Sequence, residues 1–492
     1  MTCDECAKGA GLHRRGMKGT IPQSGERKSR PLMREIFDSI QTAAYAEPMP
    51  DWSTRAARLR ALRQMLRQNR QRFAEAIARD FGQRPQAETD LAEVFPALTG
   101  IRHALRHGRG WMRRRPARTG LWFRPARCWV QPRPLGVVGI VVPWNYPVFL
   151  SFGPLTDALA AGNRIMIKLS EHAPAFAQTF AEAAARHFET DVLAVVTGGP
   201  EVAADFTALP FDHLLFTGST QVGRRVMQTA AGNLTPVTLE LGGKSPALIA
   251  PDAPLAHAVD RIMTGKLLNA GQTCIAPDYV LLPRPLVDDF IALARDWVDR
   301  HYPRLAANAD YTRIINAAQF QRLSDSIAAA RDAGSVLHPL SDTAPDPVNR
   351  LMPPIIVTNA QGALAEQEIF GPVLPLVPYD RLREAADHIL AHPRPLAFYP
   401  FTRDEETLSL LLGSVAAGGV TINDTLLHVA QHDLPFGGVG ASGIGAYHGK
   451  AGFERMSHLM PVFRQARLNG TGLLAPPYGA RFRMLMRWML RV

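Results

Sequence analysis

The sequence predicts an α/β fold organised on a doubly wound parallel sheet, and three observations carry that prediction. Five short apolar runs, at 137–142, 165–168, 192–196, 213–216 and 237–239, do not alternate with polar residues. Helical patterns at 150–161, 173–187, 201–208 and 222–231 separate them. Strands that are apolar on both faces need cover on both, which a parallel sheet between helix layers provides. After Gly242 a second α/β region runs to about Ser414, with helices expected at 286–300 and 320–333. This is a nucleotide-binding layout, and its ligand sits at the carboxyl ends of the strands.

The elements follow in chain order. Residues 1–30 are basic and polar with no apolar core, so they are no secretory signal, and 1–32 reads as a disordered tail. From Met33 to about Arg115 the pattern is helical. Leu59, Leu62, Met65, Leu66, Phe73 and Ile77 mark an amphipathic face, and Asp51 is placed to cap it. Between 118 and 133, Pro125 and Pro132 with Trp122, Phe123 and Trp129 exclude a helix and a central strand, which leaves an arm or edge pair. Residues 340–354 and 466–480 read as loops, and 418–453 is glycine-rich. In the last segment Arg483, Arg487 and Arg491 fall on one helix side and Phe482, Leu485, Met486 and Met489 on the other. Such a basic amphipathic helix suits an anionic membrane surface, a partner subunit or the cover of a substrate entrance.

Bulk properties exclude several classes. The 492 residues suffice for two or three domains, and 46% apolar with 20% charged residues is ordinary for a globular protein. The net charge of +11 lies largely at the ends and in the arginine-rich stretches 55–72 and 102–118, without any nucleic-acid-binding module. Cys3 and Cys6 form a lone C-x-x-C pair in the tail, read as adventitious rather than metal-binding, and Cys128 reads as a packed thiol. A reducing cytoplasmic compartment fits. No run reaches the length of a membrane span. His428 and His432 lack a third ligand and read as structural, so no metal is expected.

The strand ends carry the chemistry. The first run ends in Pro143, Trp144, Asn145, Tyr146 and Pro147, a rigid turn with Asn145 as an amide donor suited to an oxyanion, although asparagine in turns often serves the backbone. Lys168 and Glu171 end the second, where they suit ribose hydroxyls or a surface ion pair equally. The fourth runs into Gly218, Ser219 and Gly223, a G-x-x-x-x-G turn before a helix, which can face a phosphate. The fifth ends in Glu240 against Gly242 and Gly243, where burial would raise the carboxyl pKa and make it a base near neutral pH. Asn269 to Pro277 then present Cys274 between a small-residue turn and a proline. A thiol attacks as the thiolate and needs a partner for its proton. Glu368, Phe370, Gly371 and Pro372 add a carboxylate and an aromatic ring beside a rigid turn. Trp144, Tyr146 and Phe149 suit a tunnel wall or the core equally.

This ordered set resembles the NAD(P)-dependent aldehyde dehydrogenase superfamily over roughly 34–465. The stretches 311–323 and 434–449 resemble its class 3 branch, and the chain is most similar to bacterial coniferyl aldehyde dehydrogenases. The resemblance implies a Rossmann-like dinucleotide-binding domain (33–116 and 137–240), an α/β catalytic domain (241–417) and a small β oligomerisation arm (117–136 and 418–465). It implies NAD or NADP as cofactor, a small-molecule aldehyde as substrate and a homodimer. It implies that Cys274 attacks the aldehyde, that Asn145 and the Cys274 N–H hold the oxyanion, and that Glu240 activates the water that releases the acid. By the same resemblance Lys168 and Glu171 bind the adenosine ribose, Gly218, Ser219 and Gly223 lie by the pyrophosphate, Glu368 holds the nicotinamide ribose and Phe370 lies against its ring. Leu169 departs from the proline usual after that lysine. His448 matches a structural position.

Two rival classes differ in their products: an acylating enzyme that passes the thioester to coenzyme A, and a catalytically silent structural protein. Glu240, as a hydrolytic base, and the intact Cys274, Asn145 and Glu240 set argue against them. Hydroxycinnamaldehydes are the expected substrates, with medium-chain aliphatic aldehydes as the alternative.

Overall fold

The computed structural model describes residues 26–490. Two short strands, β1 (Arg115–Ala117) and β2 (Arg127–Pro134), pair antiparallel. Five strands then build the first core: β3 (Val137–Val141), β4 (Arg164–Lys168), β5 (Leu193–Val196), β6 (His213–Thr217) and β7 (Val237–Glu240). The second core uses β8 (Pro246–Ile249), β9 (Tyr279–Pro283), β10 (Val336–Pro339), β11 (Ile355–Thr358), β12 (Val373–Tyr379), β13 (Ala397–Phe401) and β14 (Gly419–Val420). β15 (Gly443–Ile444) and β16 (Ser457–Arg464) close the chain's strands.

In the first sheet the order is β15-β7-β6-β3-β4-β5, parallel except for β15, which runs antiparallel to β7. The unalternating apolar runs have their physical reason here. Val138, Ile140, Ile165, Ile167 and Leu215 face one helix layer, and Val137, Val141, Met166, Leu214 and Phe216 face the other. On the first face the helix Trp52–Phe81, capped by Asp51, packs on the helix Pro174–His187, with Phe73 against Phe176 and Phe180. On the second face the helix Glu26–Ala46 sets Phe37 edge-on to Phe211. Each fully buried aromatic of this kind is worth about 1.5–3 kcal/mol of transfer free energy.

The second sheet has the order β10-β11-β12-β9-β8-β13-β14, and the third is the antiparallel arm β1-β2-β16. Three expectations shift. The helix from Glu26 starts inside the segment 1–32 expected to be disordered, because Met33, Phe37 and Ile40 bury one face on the sheet. Residues 1–25, with Cys3 and Cys6, lie outside the described residues. The β arm is narrower than 117–136 plus 418–465. β14 extends the second sheet and β15 the first, so these two strands lie outside the three-stranded arm sheet. The C-terminal amphipathic helix forms at Ala480–Met489, and its Trp488 ring lies 4.4 Å edge-on from Trp122 beside the arm.

Candidate active site

The thiol sits where the backbone makes an improbable turn. The helix Leu255–Leu267 ends, and Asn269, Ala270 and Gly271 take φ of 55°, 51° and 74°. A Cβ at Gly271 would lie 2.4 Å from the Gly371 carbonyl oxygen, so glycine is required there. Ala270 in the left-handed region costs roughly 1–2 kcal/mol. That cost is offset by the fully buried Gln272 amide. Its Nε2 donates to the carbonyls of Asn269 (2.9 Å) and Arg313 (3.0 Å), and its Oε1 accepts from the Ile315 N–H (3.0 Å). Gln272 is a site residue that the sequence reasoning passed over.

Asn145 converges on this loop from the end of β3. Its Nδ2 donates to the Gln272 carbonyl at 3.2 Å. The Asn145 carbonyl in turn accepts from Asn269 Nδ2 (3.1 Å) and Arg84 Nη1 (3.0 Å). Tyr146 shares a 2.6 Å hydrogen bond with the Thr273 hydroxyl. Arg84 pairs with Glu93 at 2.9 Å, and Glu93 accepts from the N–H groups of Val148 (2.7 Å) and Phe149 (3.2 Å). Burial pushes the Glu93 carboxyl up to about 7, with Arg84 opposing. This buried clamp was also missed. The i, i+4 pair Arg84 and Glu88 is its one trace in sequence, and such pairs are commonplace on helix surfaces.

Glu240 ends β7, paired with Gly443 of β15. It is buried, and neither carboxylate oxygen has a hydrogen-bond partner among the described residues. Desolvation raises its pKa well above the usual carboxylate range, and Arg455 only partly opposes this. The half-buried Cys274 thiol is pushed up to about 12 by burial, then by Glu368 and by Glu240, while the Cys274 and Ile275 N–H groups work the other way. Two carboxyl groups and one thiol thus share a small volume in which more than one negative charge is unfavourable. A group that accepts the thiol proton, or donors that accept its developing charge, would release the nucleophile.

The residues expected at the cofactor gather at the carboxyl edge of the first sheet. Lys168 is buried, and its Nζ donates to Glu171 at 2.9 Å. Burial opposes ionisation of Glu171, but hydrogen bonds from its own backbone N–H and from Lys168 hold its carboxyl below the usual range. Leu169 is accommodated in the core. Ser219 caps the helix Thr220–Ala231, which begins where β6 stops. At Gly223 a Cβ would overlap Leu241, and at Gly218 it would overlap Phe216, so both glycines allow close packing at this turn. The Thr217 hydroxyl and Glu368 Oε1 are buried without partners among the described residues. A helix N-terminus, a strand-end ion pair and unsatisfied oxygens on one sheet edge fit a dinucleotide with hydroxyls and phosphates. Phe370 packs edge-on to Trp144 at 5.4 Å. Burial, then Asp278, pushes Glu368 up to about 8, against the Gly243 N–H and nearby cations.

Cys274 also opens onto a cavity of about 330 Å³ whose wall includes Phe95, Tyr146, Phe149, Leu268, Leu426 and Phe436. Tyr146 and Phe149 therefore line the tunnel, whereas Trp144 packs between Phe81 and Phe370. His428 bonds Thr421 (2.8 Å) and His432 bonds Thr99 (2.9 Å).

The model of the aldehyde dehydrogenase family covers residues 33–462. A probable coniferyl aldehyde dehydrogenase of Pseudomonas aeruginosa is 49% identical over 92% of this chain and 95% of its own length. The 4,4'-diaponeurosporen-aldehyde dehydrogenase of Staphylococcus aureus is 36% identical over 92% of this chain and 98% of its own. The solved substrate-bound state of Staphylococcus aureus AldH superposes with a TM-score of 0.87 at 34% identity, covering 93% of this chain and 99% of that one. With this fold and this match along nearly its whole length, the chain belongs to the aldehyde dehydrogenase family, whose members use NAD or NADP.

Proposed function

We propose that this enzyme oxidises hydroxycinnamaldehydes of the coniferyl aldehyde type to their acids through a thiohemiacetal and a thioester on Cys274. The observation that supports it is the convergence on Cys274, which opens onto a partly aromatic cavity, of the Asn145 amide bonded to its loop and of the field of the unpartnered Glu240 carboxylate. The thiol adds to the aldehyde carbon, and its proton goes to Glu240. The carbonyl oxygen gains charge and is held by Asn145 Nδ2 and the Cys274 N–H. Bound NAD or NADP supplies the hydride acceptor. Lys168, Glu171, Ser219 and the adjacent glycines, with Glu368 and Phe370, would hold that cofactor along the sheet edge. Glu240 gives up the thiol proton to solvent before deacylation, then takes a proton from the water that attacks the thioester, and Cys274 leaves as the thiolate.

The coniferyl names of relatives at 49% and 40% identity favour the aromatic substrate. The aliphatic share of the lining, with Leu91, Leu150, Leu268, Leu426 and Val429, and the diaponeurosporen-aldehyde relative favour a second reading, a medium-chain or long apolar aldehyde. Rates with coniferyl aldehyde, cinnamaldehyde and decanal, each with NAD and NADP, decide between them. Coniferyl aldehyde should give the highest kcat/KM and free ferulic acid as product. A preference for decanal would sink the aromatic reading, and an acyl-CoA product would sink hydrolysis. The β1-β2-β16 arm, with Phe463 exposed, is the surface we assign to a second copy in a homodimer.

A further inference from the structure

The mechanism above leaves one buried polar group unused. Tyr447 is fully buried, and its hydroxyl has no hydrogen-bond partner among the described residues. Such a group carries a desolvation penalty, and phenylalanine would fill the same space without it. A core role therefore does not explain the oxygen.

Its position does. β15 lies against Glu240, and the chain runs on from it to Tyr447 within a few residues. There Tyr447 pairs with Phe436 through two backbone hydrogen bonds, 2.9 and 2.8 Å, and Phe436 belongs to the wall of the Cys274 cavity. The phenol ring stands edge-on to Phe436 (5.9 Å) and His448 (4.4 Å), and Gly153 leaves room beside it. Burial first, then the charges of Glu240, Cys274 and Asp157, keep the phenol protonated. A neutral hydroxyl, able to donate and accept, therefore lies within the electrostatic reach of a carboxylate whose two oxygens are equally unpartnered.

We propose that Tyr447 is a catalytic residue of the hydrolytic half-reaction, orienting the attacking water together with Glu240. The water gives one hydrogen bond to the carboxylate and the other to the phenol oxygen, which aims its lone pair at the thioester carbon. A carbon–oxygen bond forms, the water proton passes to Glu240, the carbon–sulfur bond breaks, and Cys274 departs as the thiolate. Tyr447 neither gains nor loses a proton. The proposal rests on Glu240 acting as the base.

The test compares Tyr447→Phe, Glu240→Gln and the wild-type enzyme in stopped-flow NADH formation, steady-state turnover and thermal unfolding. Tyr447→Phe should keep an equal or higher Tm and a stoichiometric NADH burst, while steady turnover falls about 10- to 100-fold. Unchanged turnover in Tyr447→Phe beside an impaired Glu240→Gln overturns the role of the phenol alone. Burst and turnover falling together in Tyr447→Phe also overturn it, because the effect would then lie at acylation. Full turnover in Glu240→Gln overturns the base assignment and the proposal with it.

Discussion

Removing the Asn145 amide isolates the acylation step. In Asn145→Ala the turn itself should stand, because the residue's carbonyl is pinned by Arg84 and Asn269, neither of which bonds the lost side chain. The Gln272 carbonyl that accepts from Asn145 keeps a second donor in Asn269 Nδ2 at 3.2 Å. No buried acceptor is orphaned, so the stability cost is that of one ordinary hydrogen bond, about 1 kcal/mol. What disappears is a side-chain donor for the oxyanion, worth about 10²–10³ in rate, or ~2.7–4 kcal/mol. Stopped-flow absorbance of NADH reads this directly, since the burst phase reports acylation and hydride transfer. The single-turnover rate of NADH formation should fall by that factor, leaving acylation rate-limiting and no burst in multiple turnover, with Tm lowered by only a few degrees. A single-turnover rate within about threefold of wild type would refute the assignment of Asn145 as an oxyanion donor.

Three further outcomes follow from the same geometry. The base must be ionised to act and its pKa is raised, so the wild-type deacylation rate should climb with pH above the usual carboxylate range. Glu240→Gln should lose that limb; a pH–rate profile still rising in the variant would count against the assignment. Glu171, held ionised beside Lys168, should repel a 2′-phosphate, so Glu171→Gln should raise the NADP-to-NAD ratio of kcat/KM roughly tenfold, and an unmoved ratio speaks against this placement. A chain ended at Gly479 lacks the helix Ala480–Met489, and we expect weaker sedimentation with anionic vesicles than for the full chain. Equal binding by both chains removes membrane contact as the function of that helix.

The sequence made the first sheet legible because its strands obey a simple rule. A strand covered on both faces must be apolar throughout, and β3 through β7 fall within a residue or two of the runs that predict them. Asn145, Lys168 and Glu240 drew notice as candidates for a related reason, since a polar group stands out where an apolar strand run stops. Arg84 and Glu93 were not legible: on a helix they look like solvated charge, and only the tertiary fold buries them. Nor was Tyr447, which lies in a stretch whose sequence shows little beyond its glycine content. The arm was over-assigned for the same reason, because β14 and β15 are two residues long and their pairing is wholly non-local.

β15 sets the order in which the enzyme comes to life. The edge beside Glu240 is covered by a segment made about two hundred residues later, a separation that makes its pairing among the slowest to form. On a ribosome adding roughly 5–20 residues per second, the first sheet and the nucleotide edge can assemble tens of seconds before β15 emerges. The nascent enzyme would then carry its thiol without a finished base or phenol beside it. Competence to release acid would arrive last, as a property of the completed chain.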